Sequence, residues 1–165
     1  MEQKSKTTWK LAPQYSFTMN PYPDIRLSSC PHCEGKNGQR KLPLLIHIDP
    51  HQLIVLNYTC RYCKACDLLM AHKHEIEHLL TEVMQSRAPE LIGNEYLILG
   101  TVSKTTWRAA MTEELTPKEM LDHTRRFETV YQELRVTQTG WFPVNVKPGL
   151  RKPPPSEEWV KREKS

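Results

Sequence analysis

The chain has 165 residues, 38% of them hydrophobic and 25% charged, with a formal net charge of +4. That length gives room for one domain, or for a small metal-stapled module plus a modest second unit. A balance this mild does not demand nucleic acid as a partner, and no run approaches the roughly 18 apolar residues of a membrane-spanning helix.

The start, MEQKSKTTWKLAPQ, lacks the apolar core of a signal peptide, so the expected compartment is a reducing cytosol. Five cysteines in two tight groups then read as metal ligands rather than as disulfides. Residues 1–27 form an extended, proline-dotted arm, because each proline in Asn20-Pro21-Tyr22-Pro23 keeps the preceding residue out of the helical region. Its aromatics, Trp9, Tyr15, Phe17 and Tyr22, are expected to cover the domain's own core.

Cys30-Pro31-His32-Cys33 and a glycine-containing turn come next. Two leucine- and isoleucine-rich runs, Leu42 to Ile48 and Leu53 to Tyr58, flank Asp49-Pro50-His51-Gln52 and predict a β-hairpin. Cys60, Cys63 and Cys66 follow, and Leu68 to Ala71 predict a third strand. From Lys73 to Arg87 the period changes: Ile76, Leu79, Leu80, Val83 and Met84 recur at helical spacing, and Ala88-Pro89 ends the helix. Tyr96 to Val102 is a further strand, and Lys104 to Met111 is ambiguous, with a strand continuing through Trp107 as one reading. Thr116-Pro117-Lys118-Glu119 opens a helix expected to run to about Arg135, burying Met120, Leu121, Phe127, Val130, Tyr131 and Leu134. Residues 141–165 are a Pro/Lys/Arg-rich tail with Pro153-Pro154-Pro155. Such a tail is either solvated or an extended ligand for a partner's aromatic groove.

A structural zinc takes four soft ligands in a tetrahedron, and a C-x-x-C turn presents two thiolates from one loop. Cys30 and Cys33 supply one such turn; Cys63 supplies the second, with either Cys60 or Cys66. Counted from the turn at Pro50 and His51, Cys33 and Cys66 stand at similar distances along the two arms, which favours Cys63 with Cys66. A slack loop after Cys33 would instead seat Cys60 and Cys63 directly after the second strand. One structural Zn2+ is the expected cofactor. The segment Cys30-Pro31-His32-Cys33-Glu34-Gly35, the hairpin strands and the second cysteine group resemble the zinc-ribbon superfamily over about residues 28–72. The whole chain also resembles small bacterial zinc-ribbon proteins. The resemblance implies a rigid platform of the kind used in transcription factors, ribosomal proteins, nucleic-acid enzymes and protein-docking modules.

Two further patterns carry chemistry. His74-Glu75-Ile76-Glu77-His78 spells the H-E-x-x-H string of zinc hydrolases, with Glu75 as general base. No third ligand is evident beside it, and both histidines lie off the apolar stripe, so a solvated helix face is the preferred reading. Arg40, Lys41, Arg61 and Lys64, with Tyr62 among them, could form a rim that stacks on and neutralises nucleic acid; Lys10, Arg125 and Arg126 add to the basic candidates. The expected architecture is α+β. An extended arm (1–27) leads into a zinc ribbon (28–72), a helix-strand-helix unit packed on it (73–140) and a tail (141–165). The expected function is non-enzymatic: a docking or adaptor module for a protein partner, with nucleic-acid binding and zinc-dependent hydrolysis as the alternatives.

Overall fold

The computed structural model describes residues 10–112, 115–131 and 152–161. Seven strands form one mixed sheet: β1 (Ser16–Asn20), β2 (Gly38–Ile48), β3 (Gln52–Cys63), β4 (Leu68–His72), β5 (Tyr96–Val102), β6 (Thr124–Arg126) and β7 (Thr129–Tyr131). Three helices accompany them: α1 (Lys73–Arg87), α2 (Lys104–Thr112) and α3 (Pro117–Asp122). The strand order is β6-β5-β2-β3-β4-β1-β7. Its two edge strands are separated in the chain only by Phe127 and Glu128, so the sheet must curl until its edges approach. Backbone bonds from Phe127 to the Leu99 carbonyl and from Glu128 to the Tyr15 carbonyl stitch that seam. Among the described residues no helix is long and apolar enough to cross a membrane.

The β2–β3 hairpin is the spine, paired in unbroken antiparallel register from Ile48↔Gln52 to Gly38↔Tyr62. Along β3, Ile54, Leu56, Tyr58 and Cys60 are buried while the residues between them are partly or fully exposed, the period-two pattern of a strand with one face on a core. Helix α1 closes that core with Ile76, Leu80 and Met84, spaced four apart and fully buried. Phe17 of β1 stacks on Phe127 at 4.7 Å within the same core. Tyr15 and Tyr22 of the predicted arm are also buried; Trp9 lies outside the described residues. A second, smaller cluster of Leu27, Cys30, Cys63, Leu68 and Met70 sits on the other face of β3 and β4.

Three expectations needed correction. The helix starting at Pro117 has the predicted capping box but ends at Asp122 instead of running to about Arg135. There the Thr124 hydroxyl donates to the Met120 carbonyl, and residues 124–126 pair with Gly100 to Val102 as a strand. Thr124, Thr129 and Val130 are β-branched and lose side-chain freedom in a helix, whereas pairing on a curled sheet suits them. Phe127 is buried in this strand context and Val130 partly so, Tyr131 is exposed, and Leu134 lies outside the described residues. Second, Lys104 to Met111 is a helix, not a strand, because Ser103 caps it by accepting from the Thr106 amide. Third, the hairpin strands reach well past the predicted Leu42 and Tyr58, which places Cys60 and Cys63 within β3.

Glycine is required at Gly100, where β5 pairs with β6 and bulges at Leu99 against β2. A Cβ there would lie 2.2 Å from the Arg125 carbonyl oxygen. It is also required at Gly93, whose φ is +93° and whose Cβ would strike the backbone nitrogen of Lys161. Gly93 thereby admits the segment 152–161, which lies along the protein as a strap. Trp159, 6% exposed, is its anchor: the indole Nε1 donates to the Asn94 carbonyl at 2.7 Å, and the ring meets Tyr96 edge-on.

Candidate metal centre

The first C-x-x-C turn is the tip of a small loop closed by the Ser29↔Lys36 bridge. The Cys30 amide donates to the Gly35 carbonyl and the Glu34 amide to the Cys30 carbonyl, both at 2.8 Å. These bonds fold residues 30–35 so that two more amides reach sulfur: His32 to the Cys30 Sγ at 3.3 Å and Gly35 to the Cys33 Sγ at 3.4 Å. The second turn, Cys63 to Cys66, joins β3 to β4. In each turn the residue after the last cysteine has a left-handed backbone, Glu34 at φ 63° and Asp67 at φ 53°. The two turns therefore share one local conformation, and β3 and β4 hold the second facing the first.

Cys30, Cys33, Cys63 and Cys66 place their sulfurs within 4.8 Å of one another. Cys30 and Cys66 are 3.9 Å apart, and Cys33 and Cys63 are 3.5 Å apart. Tetrahedral zinc–thiolate bonds of about 2.3 Å put sulfurs about 3.8 Å from each other, so the cage is the right size for one ion. Crowding makes the free thiols difficult to ionise together. Burial pushes the Cys30 thiol up. Hydrogen bonding to Cys33, followed by burial, pushes Cys66 up to about 12. Cys63 moves down in net. Burial opposes its thiolate, but the Cys66 amide and the neighbouring thiols outweigh that opposition. One thiol thus ionises more readily at its neighbours' expense, and a divalent cation would favour the thiolate at all four. Four cysteines here can hold one metal ion.

No protein-family model, curated protein or solved structure matches this chain. The site therefore speaks through its own geometry.

Cys60 stands outside the cluster. Strand alternation puts it on the face of Ile54, Leu56 and Tyr58, in the main core, with 0% exposure, while Cys63, three residues on, belongs to the opposite face. Burial raises its thiol to about 12. Cys60→Ala should keep the full metal content and cost about 1 kcal/mol in denaturant unfolding. Loss of metal from that variant would return Cys60 to the ligand set.

The basic rim does not form one patch. Directly opposed pairs in the hairpin put Arg40, Cys60 and Tyr62 on one face, and Lys41 and Arg61 on the other. Arg40 and Tyr62 are also occupied with their own chain. The guanidinium lies 4.2 Å from the Tyr62 ring centre and donates to the Tyr15 hydroxyl, and the Tyr62 hydroxyl donates to Asp67 at 2.6 Å. Lys64 is exposed at the tip of the second turn. Lys10 pairs with Asp122, and Arg125 donates to the Ala12 carbonyl.

His74, Glu75 and His78 all line a cavity of about 640 Å³ between α1, Pro21 and Pro23, and the strap. Glu75 accepts a hydrogen bond from Tyr58, and the His78 ring lies between two carboxylates, Glu158 at 2.6 Å and Glu82 at 2.9 Å. These residues do not join any group of ligand atoms close enough for a metal among the described residues. Glu158 and then Glu82 raise the His78 pKa. Because the folded value is raised, this contribution to stability is complete below the unfolded value, about 6.5, and fades as pH rises through the folded one. Thermal melts from roughly pH 6 to 9 should therefore show the advantage of wild type over His78→Gln shrinking. A constant difference would mean that the ring is not linked to folding.

Proposed function

We propose that Cys30, Cys33, Cys63 and Cys66 hold one structural zinc ion, and that the zinc-stapled end of the protein is a docking platform for a protein partner. One observation carries this reading: four cysteine sulfurs lie within 4.8 Å of one another, enough soft ligands to fill a tetrahedral ion's coordination and leave no position for water or substrate. Four thiolates are a soft set that suits zinc over magnesium or calcium. The ion would pin the loop before β2 to the β3–β4 turn. It would add binding energy directly to folding and stiffen the two tips that carry His32 and Lys64. His32 packs edge-on against the exposed Tyr131, so two aromatic rings stand together at that end. Aromatic residues with flanking charge are the usual makings of a protein contact. A nucleic-acid interface has less support, because Arg40 and Tyr62 are spent internally and Lys41 and Arg61 face away from them.

Elemental analysis should find one zinc per chain. A photoreactive residue placed at His32 should then give a discrete protein adduct in the cells that make this chain, and metal removal should abolish it. Adducts to RNA or DNA would shift the reading to nucleic acid, and no adduct of either kind would overturn it. The hydrolase reading has one observation in its favour, the shared cavity of His74, Glu75 and His78. A second, exchangeable zinc lost in His78→Ala would support it.

A further inference from the structure

Beside the ends of β5 and α2 lies a smaller cavity of about 310 Å³, whose polar wall includes Gln14, Thr101, Ser103, Thr106, His123 and Arg125. No carboxylate lines it. We infer that this cavity binds a small oxyanion group, a phosphate or a carboxylate. Four features converge on that chemistry. The N-terminus of the nine-residue α2 borders it through Ser103 and Thr106; the Thr106 amide is held by Ser103, and the positive end of the helix dipole favours negative charge there. Arg125 uses one guanidinium nitrogen on the Ala12 carbonyl at 3.2 Å, and its remaining N–H groups can take a forked oxyanion.

The third feature is Thr101. Its side chain lines the cavity in a residue only 6% exposed and makes no hydrogen bond among the described residues. An oxyanion in the cavity would give this hydroxyl an acceptor. Fourth, the Thr106 hydroxyl accepts from Ser103 at 3.0 Å, which leaves its own proton to donate. The acids of α3 are already engaged. Asp122 pairs with Lys118 and Lys10, and Glu119 closes the helix cap at Thr116.

The test is an amide NMR titration of the metal-loaded full chain with inorganic phosphate at constant ionic strength, with acetate in parallel. Saturable shifts are expected at Thr101 and at Ser103 through Thr106. Arg125→Gln should weaken binding about tenfold or more, as loss of a charged hydrogen bond implies. Thr101→Val, which keeps the shape of the side chain, should weaken it several-fold while leaving the melting temperature near wild type. Tighter binding of phosphate would identify a phosphoryl ligand, and tighter binding of acetate a carboxylate. Shifts that never saturate with either anion, or an Arg125→Gln protein that binds as wild type does, would overturn the proposal.

Discussion

Replacing Cys63 with alanine is expected to empty the metal site and lower the melting temperature by more than about 15 °C. A structural zinc contributes on the order of 10 kcal/mol of binding free energy, and that energy is folding energy wherever the unfolded chain lacks the site. Losing one ligand of four sacrifices several kcal/mol of it, and each kcal/mol moves the midpoint of a chain this size by roughly 2–4 °C. Cys63 should be the more damaging choice within its pair. It is 2% exposed and packs with Leu27, Leu68 and Met70, so its loss also opens the small cluster beneath the turns. Cys33 is exposed, and Cys33→Ala should lose the same metal with a smaller packing cost. Metal content by elemental analysis, with melts before and after chelation, checks both variants. A Cys63→Ala protein with full metal and an unchanged midpoint would remove the metal from the account of stability.

Trp159→Ala should destabilise the protein by about 3–5 kcal/mol, the usual cost of deleting a buried aromatic side chain. The indole is anchored to the Asn94 carbonyl and packs on Tyr96, whose hydroxyl donates to Glu77 at 2.6 Å. Glu77 is itself 3% exposed and balanced by Lys73 at 2.7 Å, and Lys73 also donates to Ser156 of the strap. Removing Trp159 would admit water to a buried carboxylate network as well as leave a hole. A shift of the urea midpoint with an unchanged slope is the expected result. A midpoint equal to wild type would mean that residues 152–161 contribute nothing to the fold.

Much of this architecture was legible in residues alone. The apolar spacing of Ile76, Leu80 and Met84 marked α1 from Lys73 to Arg87, and Ala88-Pro89 marked its end. Tyr96 to Val102 read as a strand from its flanking turn residues and β-rich content. Thr116 to Glu119 announced a capping box that forms. The alternation of Ile54, Leu56, Tyr58 and Cys60 was also present in the chain. Followed to the end of β3, it would have assigned Cys60 to the core and Cys63 to the other face.

Local pattern marked the first C-x-x-C turn, Cys30 to Cys33, because such a loop is a property of four adjacent residues, but the second stayed open between Cys60 and Cys66 until strand β3 placed Cys60 in the core. It also settled the long elements, where many residues repeat one period. Tertiary structure alone decided the elements whose stability comes from distant partners. The three-residue strands β6 and β7 have no strong periodicity and exist because β5 and β1 offer open edges on a curled sheet. The strap holds because Trp159 finds the groove beside Tyr96 and Asn94, contacts made by residues more than 60 positions earlier in the chain. The split of the basic rim onto two faces, and the capture of Arg40 by Tyr15 and Tyr62, likewise depend on pairings between strands. A short segment cannot specify these features, because the free energy that holds it in place belongs to surfaces elsewhere in the fold.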